Sequence, residues 1–177
     1  MRCSRGALPL VAAGVAMVVA LAAASVVSPD AGAGSPKYAW PTVGDALTIK
    51  SYDEYVRITV LRVETSAAIP AGVDAAIPGL RFVAVQLRIA NLSQERYNDA
   101  PGNGAVLITD TNRSYRTTLP GEEPNLDELP AIPPESFHTG WLTFLVPERA
   151  QIWKFRFTLD SGYVPQHADW LLTRPRR

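Results

Sequence analysis

Ser136 and His138 stand two residues apart. On a strand such residues share a face, so a hydroxyl could lie beside an imidazole base, with Glu135 or Asp127 to orient the ring. A serine hydrolase of the common kind presents its nucleophile in a Gly-x-Ser-x-Gly elbow. Here Ser136 instead closes a proline-rich stretch, PGEEPNLDELPAIPPES (Pro120–Ser136). Glu122, Glu123, Asp127 and Glu128 gather carboxylates of the type that calcium accepts. They lack the alternate ligand positions and sixth-position glycine of an EF-hand, so they read as a solvated acidic loop, with calcium binding left open. The chain has two histidines, His138 and His167, and no HExxH, which gives no reason to expect a zinc site. Asn91-Leu92-Ser93 matches a glycosylation acceptor pattern and reads more simply as the turn that ends a strand. The four tryptophans read as core and edge packing rather than as a sugar platform. No catalytic residue, cofactor-binding residue or metal ligand is assigned, and the chain is not expected to be an enzyme.

Lys and Arg together number 17, as do Asp and Glu, so the formal charge is zero. That balance excludes the basic stripe of a general nucleic-acid binder and gives no reason to expect a polyanionic substrate. The single cysteine, Cys3, precedes the hydrophobic segment. The remainder therefore has no disulfide, thiolate metal site or cysteine nucleophile, and must be stable through packing alone.

Arg2 and Arg5 precede an uninterrupted apolar run, Ala7–Val27. It is long enough to span a bilayer, which takes ~20 apolar residues as a helix, and the arginines predict export of the chain beyond it. Residues 1–33 are thus either a signal peptide, cleaved near Ala33 after Ala31-Gly32-Ala33, or an uncleaved membrane anchor. Residues 34–42 form a linker that leads into the domain. The domain occupies 43–173, and 174–177 is a basic tail.

The longest clean alternation is LRFVAVQLRIAN, Leu80–Asn91, with Val83, Val85, Leu87 and Ile89 on one face. Further strands are expected at Ala46–Lys50, Glu54–Glu64, Ala105–Thr109, Ser114–Leu119, Phe137–Val146, Ile152–Leu159 and near Trp170–Thr173. Val56, Ile58 and Val60 change parity to Leu61 and Val63, which predicts either a bulge near Val60 or a strand buried on both faces. Trp153, Phe155, Phe157 and Leu159 are expected inward, with Lys154, Arg156 and Thr158 outward. Seven to eight short strands with turn signals and no helical period indicate an all-β antiparallel sandwich, with a closed barrel as the alternative.

Gly79, Val83, Val85 and Asn91, then the hairpin signal of Asp110 and Tyr115, then Phe144-x-Val146-Pro147, resemble one known pattern. It is that of the immunoglobulin-like exported domain-of-unknown-function family of Gram-positive cell envelopes, related to the mycobacterial immunoprotective extracellular antigen. The resemblance covers roughly Val43–Leu159. In this chain Asn112-Arg113 stands where the family often has a hairpin glycine. The resemblance implies an Ig-like sandwich and an extracytoplasmic location, and it carries over no activity.

The functional expectation is an exported or membrane-anchored binding or adhesion module of the cell envelope. Its partner would be an envelope protein or a wall or host component, not nucleic acid, and the amino-terminal helix would hold the membrane if uncleaved. Two long loops, Ser66–Gly79 and Pro120–Ser136, offer the contacts, with Leu126, Leu129, Ile132, Ile69 and Ile77 as anchors. The competing readings are a hydrolase using Ser136 and His138, and an accessory subunit of a membrane complex.

Overall fold

The computed structural model describes residues 40–52, 54–69, 72, 77–118 and 121–173. The leader or anchor read at 1–33, the first part of the linker and the basic tail lie outside the described residues. No helix among the described residues is long and apolar enough to cross a membrane.

Eight strands run in order: β1 (Ala46–Ser51), β2 (Glu54–Glu64), β3 (Leu80–Asn91), β4 (Ala105–Thr109), β5 (Ser114–Arg116), β6 (Phe137–Pro147), β7 (Ile152–Thr158) and β8 (His167–Leu171). One antiparallel sheet has the order β1-β2-β3-β6 and the other β5-β4-β7-β8. The expected β-sandwich is therefore the fold. A single helical turn, Pro101–Gly104, precedes β4 and was not expected.

Period two explains the core. Val83, Val85, Leu87 and Ile89 are fully buried, as are Val56, Ile58 and Val60 on β2, while Arg88 is exposed. Phe144 meets Phe155 edge to face across the sandwich, with ring centres 6.3 Å apart. The β2 bulge lies where the parity changes, between Val60 and Arg62, and leaves Leu61 exposed. A second register shift, where β4 meets the start of β7, was not anticipated. It makes Ile152 a core residue and leaves Trp153 only half-buried. The Lys154 ammonium lies 5.0 Å from the centre of the Trp153 ring.

The two sides of the sandwich are closed differently. Beside β5 and β6 the sheets are joined by backbone, with Thr118 N–H donating to the Thr143 carbonyl at 2.8 Å. Beside β1 and β8 the join is confined to one end. There the Trp170 indole N–H donates to the Asp45 carbonyl at 2.9 Å, and Leu171 N–H donates to the Pro41 carbonyl at 2.7 Å.

Candidate functional site

The proline-rich loop is not the exposed contact surface that its sequence suggested. Leu126 and Ile132 are 3% and 5% exposed and belong to the core, and Leu129 packs against that core. Three anchors of the expected contact are thus structural. Gly140 gives the physical reason. A Cβ there would lie 2.6 Å from the Pro124 carbonyl oxygen and 3.0 Å from Leu126 Cγ, so the bare backbone lets the loop lie down on β6. Trp141 N–H then donates to Pro124 O at 2.8 Å. Further along, Ile132 exchanges both backbone hydrogen bonds with Tyr97, at 2.9 and 2.8 Å. A glycine inside the otherwise bulky strand FHTGWLTFLV was the available signal. Leu126→Ala should accordingly lower stability by about 2–4 kcal/mol, read from the shift of the urea midpoint at constant slope. A change within about 0.5 kcal/mol would return Leu126 to the surface.

Ile69 and Ile77 on the other loop remain 46% and 43% exposed. Arg81, at the start of β3, donates to the carbonyls of Thr65, Glu148 and Ala150 and so ties one end of that loop to the β6–β7 turn.

The residues that suggested hydrolysis are engaged separately. His138 Nε2 donates to the Pro130 carbonyl at 3.0 Å, and the Ser136 carbonyl accepts from Asn91 N–H at 2.9 Å. Asp127 accepts from Gly102 N–H at 2.6 Å. Two carboxylates of the acidic loop are engaged within it by Asn125. Glu123 accepts from Asn125 N–H at 2.9 Å, and Glu128 from the Asn125 side chain at 3.3 Å. Among the described residues no group of three or more His, Cys, Asp or Glu could hold a metal ion.

Two polar nodes carry structure. Asn91 is fully buried, which rules out the acceptor reading of Asn91-Leu92-Ser93 in the folded protein. Asp99 accepts from the Tyr97 hydroxyl, from Ala100 N–H, and from both the backbone and hydroxyl of Ser161, each at 2.8 Å. Burial, followed by the charge of Asp99, pushes the Tyr97 hydroxyl far above the usual phenol range. Burial and the charges of Asp99 and Asp160 also raise Glu54.

A large concavity lies along the open side, between the edge strands β1 and β8. It has a volume of about 600 Å³ and is lined by Trp40, Leu47, Ile49, Lys50, Gln166 and His167, among others. Its continuation past Ser51, Tyr52 and Val164 adds about 390 Å³. The Ser51 hydroxyl at that end is buried and has no hydrogen-bond partner among the described residues. Alternation along β8 gives the edge its chemistry. Leu171 N–H points out of the sheet toward Pro41, so Asp169 and His167 present their backbone groups on the same outer edge. The wall behind carries an ionic cluster. Asp169 accepts from Lys154 Nζ at 2.9 Å and from Arg156 Nε at 2.7 Å, and Trp40, 55% exposed, stands beside this ionic cluster with Lys154 5.7 Å from its ring centre.

No family model and no curated protein sequence matches the chain. Several solved structures match the chain, and two illustrate the shared fold. One is MPT63, a secreted protein of Mycobacterium tuberculosis, with a TM-score of 0.58 at 16% identity, over 76% of this chain and 99% of that one. The other is the yjhA protein of Bacillus subtilis, with a TM-score of 0.53 at 12% identity, over 75% of this chain and 99% of that one. At these identities the likeness is one of β-sandwich architecture.

Proposed function

We propose that this chain is an extracytoplasmic, non-catalytic binding module with an Ig-like sandwich, and that it holds an extended segment of a partner protein in the cleft between β1 and β8. One observation carries the reading: two sheet edges face each other there across about 600 Å³, while the opposite side of the sandwich is joined by backbone. Exposed edges offer unpaired backbone donors and acceptors, and an added strand satisfies them while side-chain pockets give selectivity. Trp40 and Leu47 offer apolar contacts and Gln166 and His167 polar ones. The location rests on the apolar run Ala7–Val27 behind Arg2 and Arg5, and is in keeping with a fold also used by a secreted mycobacterial protein. Whether the module is released near Ala33 or stays anchored decides between a secreted binder and an accessory subunit of a membrane complex.

A photo-crosslinking amino acid placed at Thr48 or Gln166 of the full-length protein tests the site. The expected result is a discrete protein adduct from both positions in intact cells and none from Arg113, on the distant β4–β5 turn. Equal labelling from Arg113, or no protein adduct from the cleft, would remove this reading.

A further inference from the structure

The outer face of the β1-β2-β3-β6 sheet carries a small basic notch that the cleft does not involve. Its walls derive from register. Arg57 stands opposite Ala90, and Thr59 opposite Arg88, so the two arginines occupy a diagonal of the sheet with their Cα atoms roughly 7–8 Å apart. Arg57, Thr59, Arg88 and Ala90 enclose about 160 Å³, with the small Ala90 giving depth. The Arg88 guanidinium lies over the Phe137 ring at 3.7 Å, which restricts the swing of its side chain.

Neither Arg57 nor Arg88 has an acidic partner among the described residues, where the ion pairs are Arg62 with Glu64, and Lys154 and Arg156 with Asp169. A chain of zero net charge has thus placed two unneutralised guanidiniums side by side. On the same face Arg62, paired with Glu64, lies 6.0 Å from the Trp141 ring centre.

We propose that this notch binds the phosphodiester groups of a linear anionic polymer, with one phosphate between Arg57 and Arg88 and the Thr59 hydroxyl as a third donor. Three features select that chemistry. Guanidinium forks match phosphate oxygens, and two forks on a diagonal reach one tetrahedral group from two sides. A carboxylate directs its lone pairs in one plane, where a single coplanar fork meets them, whereas the free oxygens of a phosphodiester accept from a wider range of directions. A bilayer surface calls for apolar side chains to insert beside the cations. The two rows of the notch supply Thr48, Ala90, Ala46 and Thr139 instead, and their one large ring, the half-exposed Phe137, carries the Arg88 guanidinium on its face.

The test uses the full-length protein and immobilised poly(glycerol phosphate). Binding is expected, with an affinity that falls as salt is raised. Arg57→Gln with Arg88→Gln should weaken it at least tenfold, as the loss of charge-assisted hydrogen bonds implies, without moving the melting temperature, because both side chains are exposed. Arg113→Gln with Arg116→Gln, which removes the same charge from the other sheet, should leave it within twofold. The proposal is overturned if the parent does not bind, if the two double variants lose affinity equally, or if polygalacturonate binds as tightly. It is also overturned if the notch substitutions abolish binding to phosphatidylglycerol vesicles and spare the polymer.

Discussion

Asp169→Ala is expected to lower folding stability by roughly 3–5 kcal/mol, the cost of breaking a buried ion pair from one side. Asp169 and Lys154 side chains are 8% and 10% exposed, and Arg156 is 34% exposed. With the carboxylate gone, the Lys154 ammonium is left beside the Trp40 and Trp153 rings and the like charge of Arg156. Lys154→Met combined with Asp169→Leu should cost clearly less than Asp169→Ala alone, since an apolar pair removes both the charge and its partner. The same carboxylate sets a pH dependence. Burial alone would raise its pKa, but the hydrogen bonds and charges of Arg156 and Lys154 outweigh that and hold it below the ordinary carboxylate range. A depressed folded-state pKa means stabilisation that is full above the unfolded value, about 3.9, and lost as the pH falls through the lower folded value. Parent stability should thus drop more steeply below about pH 4 than that of the Met/Leu double variant. Urea midpoints measured across pH read both effects. A cost below about 1 kcal/mol for Asp169→Ala would mean that Lys154 readily reaches water.

Asn91→Ala should cost about 2–4 kcal/mol. The side chain uses both amide hydrogens and its oxygen. Nδ2 donates to the carbonyls of Glu95 at 2.7 Å and Ile132 at 2.9 Å, and Oδ1 accepts from Ser93 N–H at 2.9 Å. Its own backbone groups pair with Ser136 and Glu135 on the proline-rich loop. Alanine would leave the buried Ser93 N–H unpaired, at about 1–3 kcal/mol, and remove one of the two donors to the Ile132 carbonyl, which keeps Tyr97 N–H, while water can recover part of the loss at Glu95. Asn91→Asp keeps the acceptor toward Ser93 but turns a donor into an anion facing two carbonyl oxygens. It should therefore be at least as damaging near neutral pH. Hydrogen exchange would locate the loss: the Tyr97 and Ile132 amides should open in Asn91→Ala before the centre of β3 does. Retention of parent-like protection at Ile132 would mean that its exchange with Tyr97 suffices to hold the loop.

The strands and the class of fold were legible without coordinates, because period two is written residue by residue. Val83 to Ile89 could be assigned a face, and the parity change after Val60 located a bulge. The expectation of export was legible too, through an apolar run whose length and flanking charges are local properties. Which residues were available for contact depended on the folded chain. Leu126 and Ile132 have no local periodicity, so their burial became visible only once Gly140 and Asn91 had brought the proline-rich loop down onto β6. Charge behaved the same way. Composition averages to zero and gave no reason to expect an anionic partner, yet the register of β2 against β3 sets Arg57 beside Arg88 with no acid between them. The cleft could not be read at all, since it depends on two edges, β1 and β8, that are distant in the chain. Whether two edges meet or stand apart is fixed by how the twisted sheets pack, a property of the whole sandwich rather than of any stretch of residues.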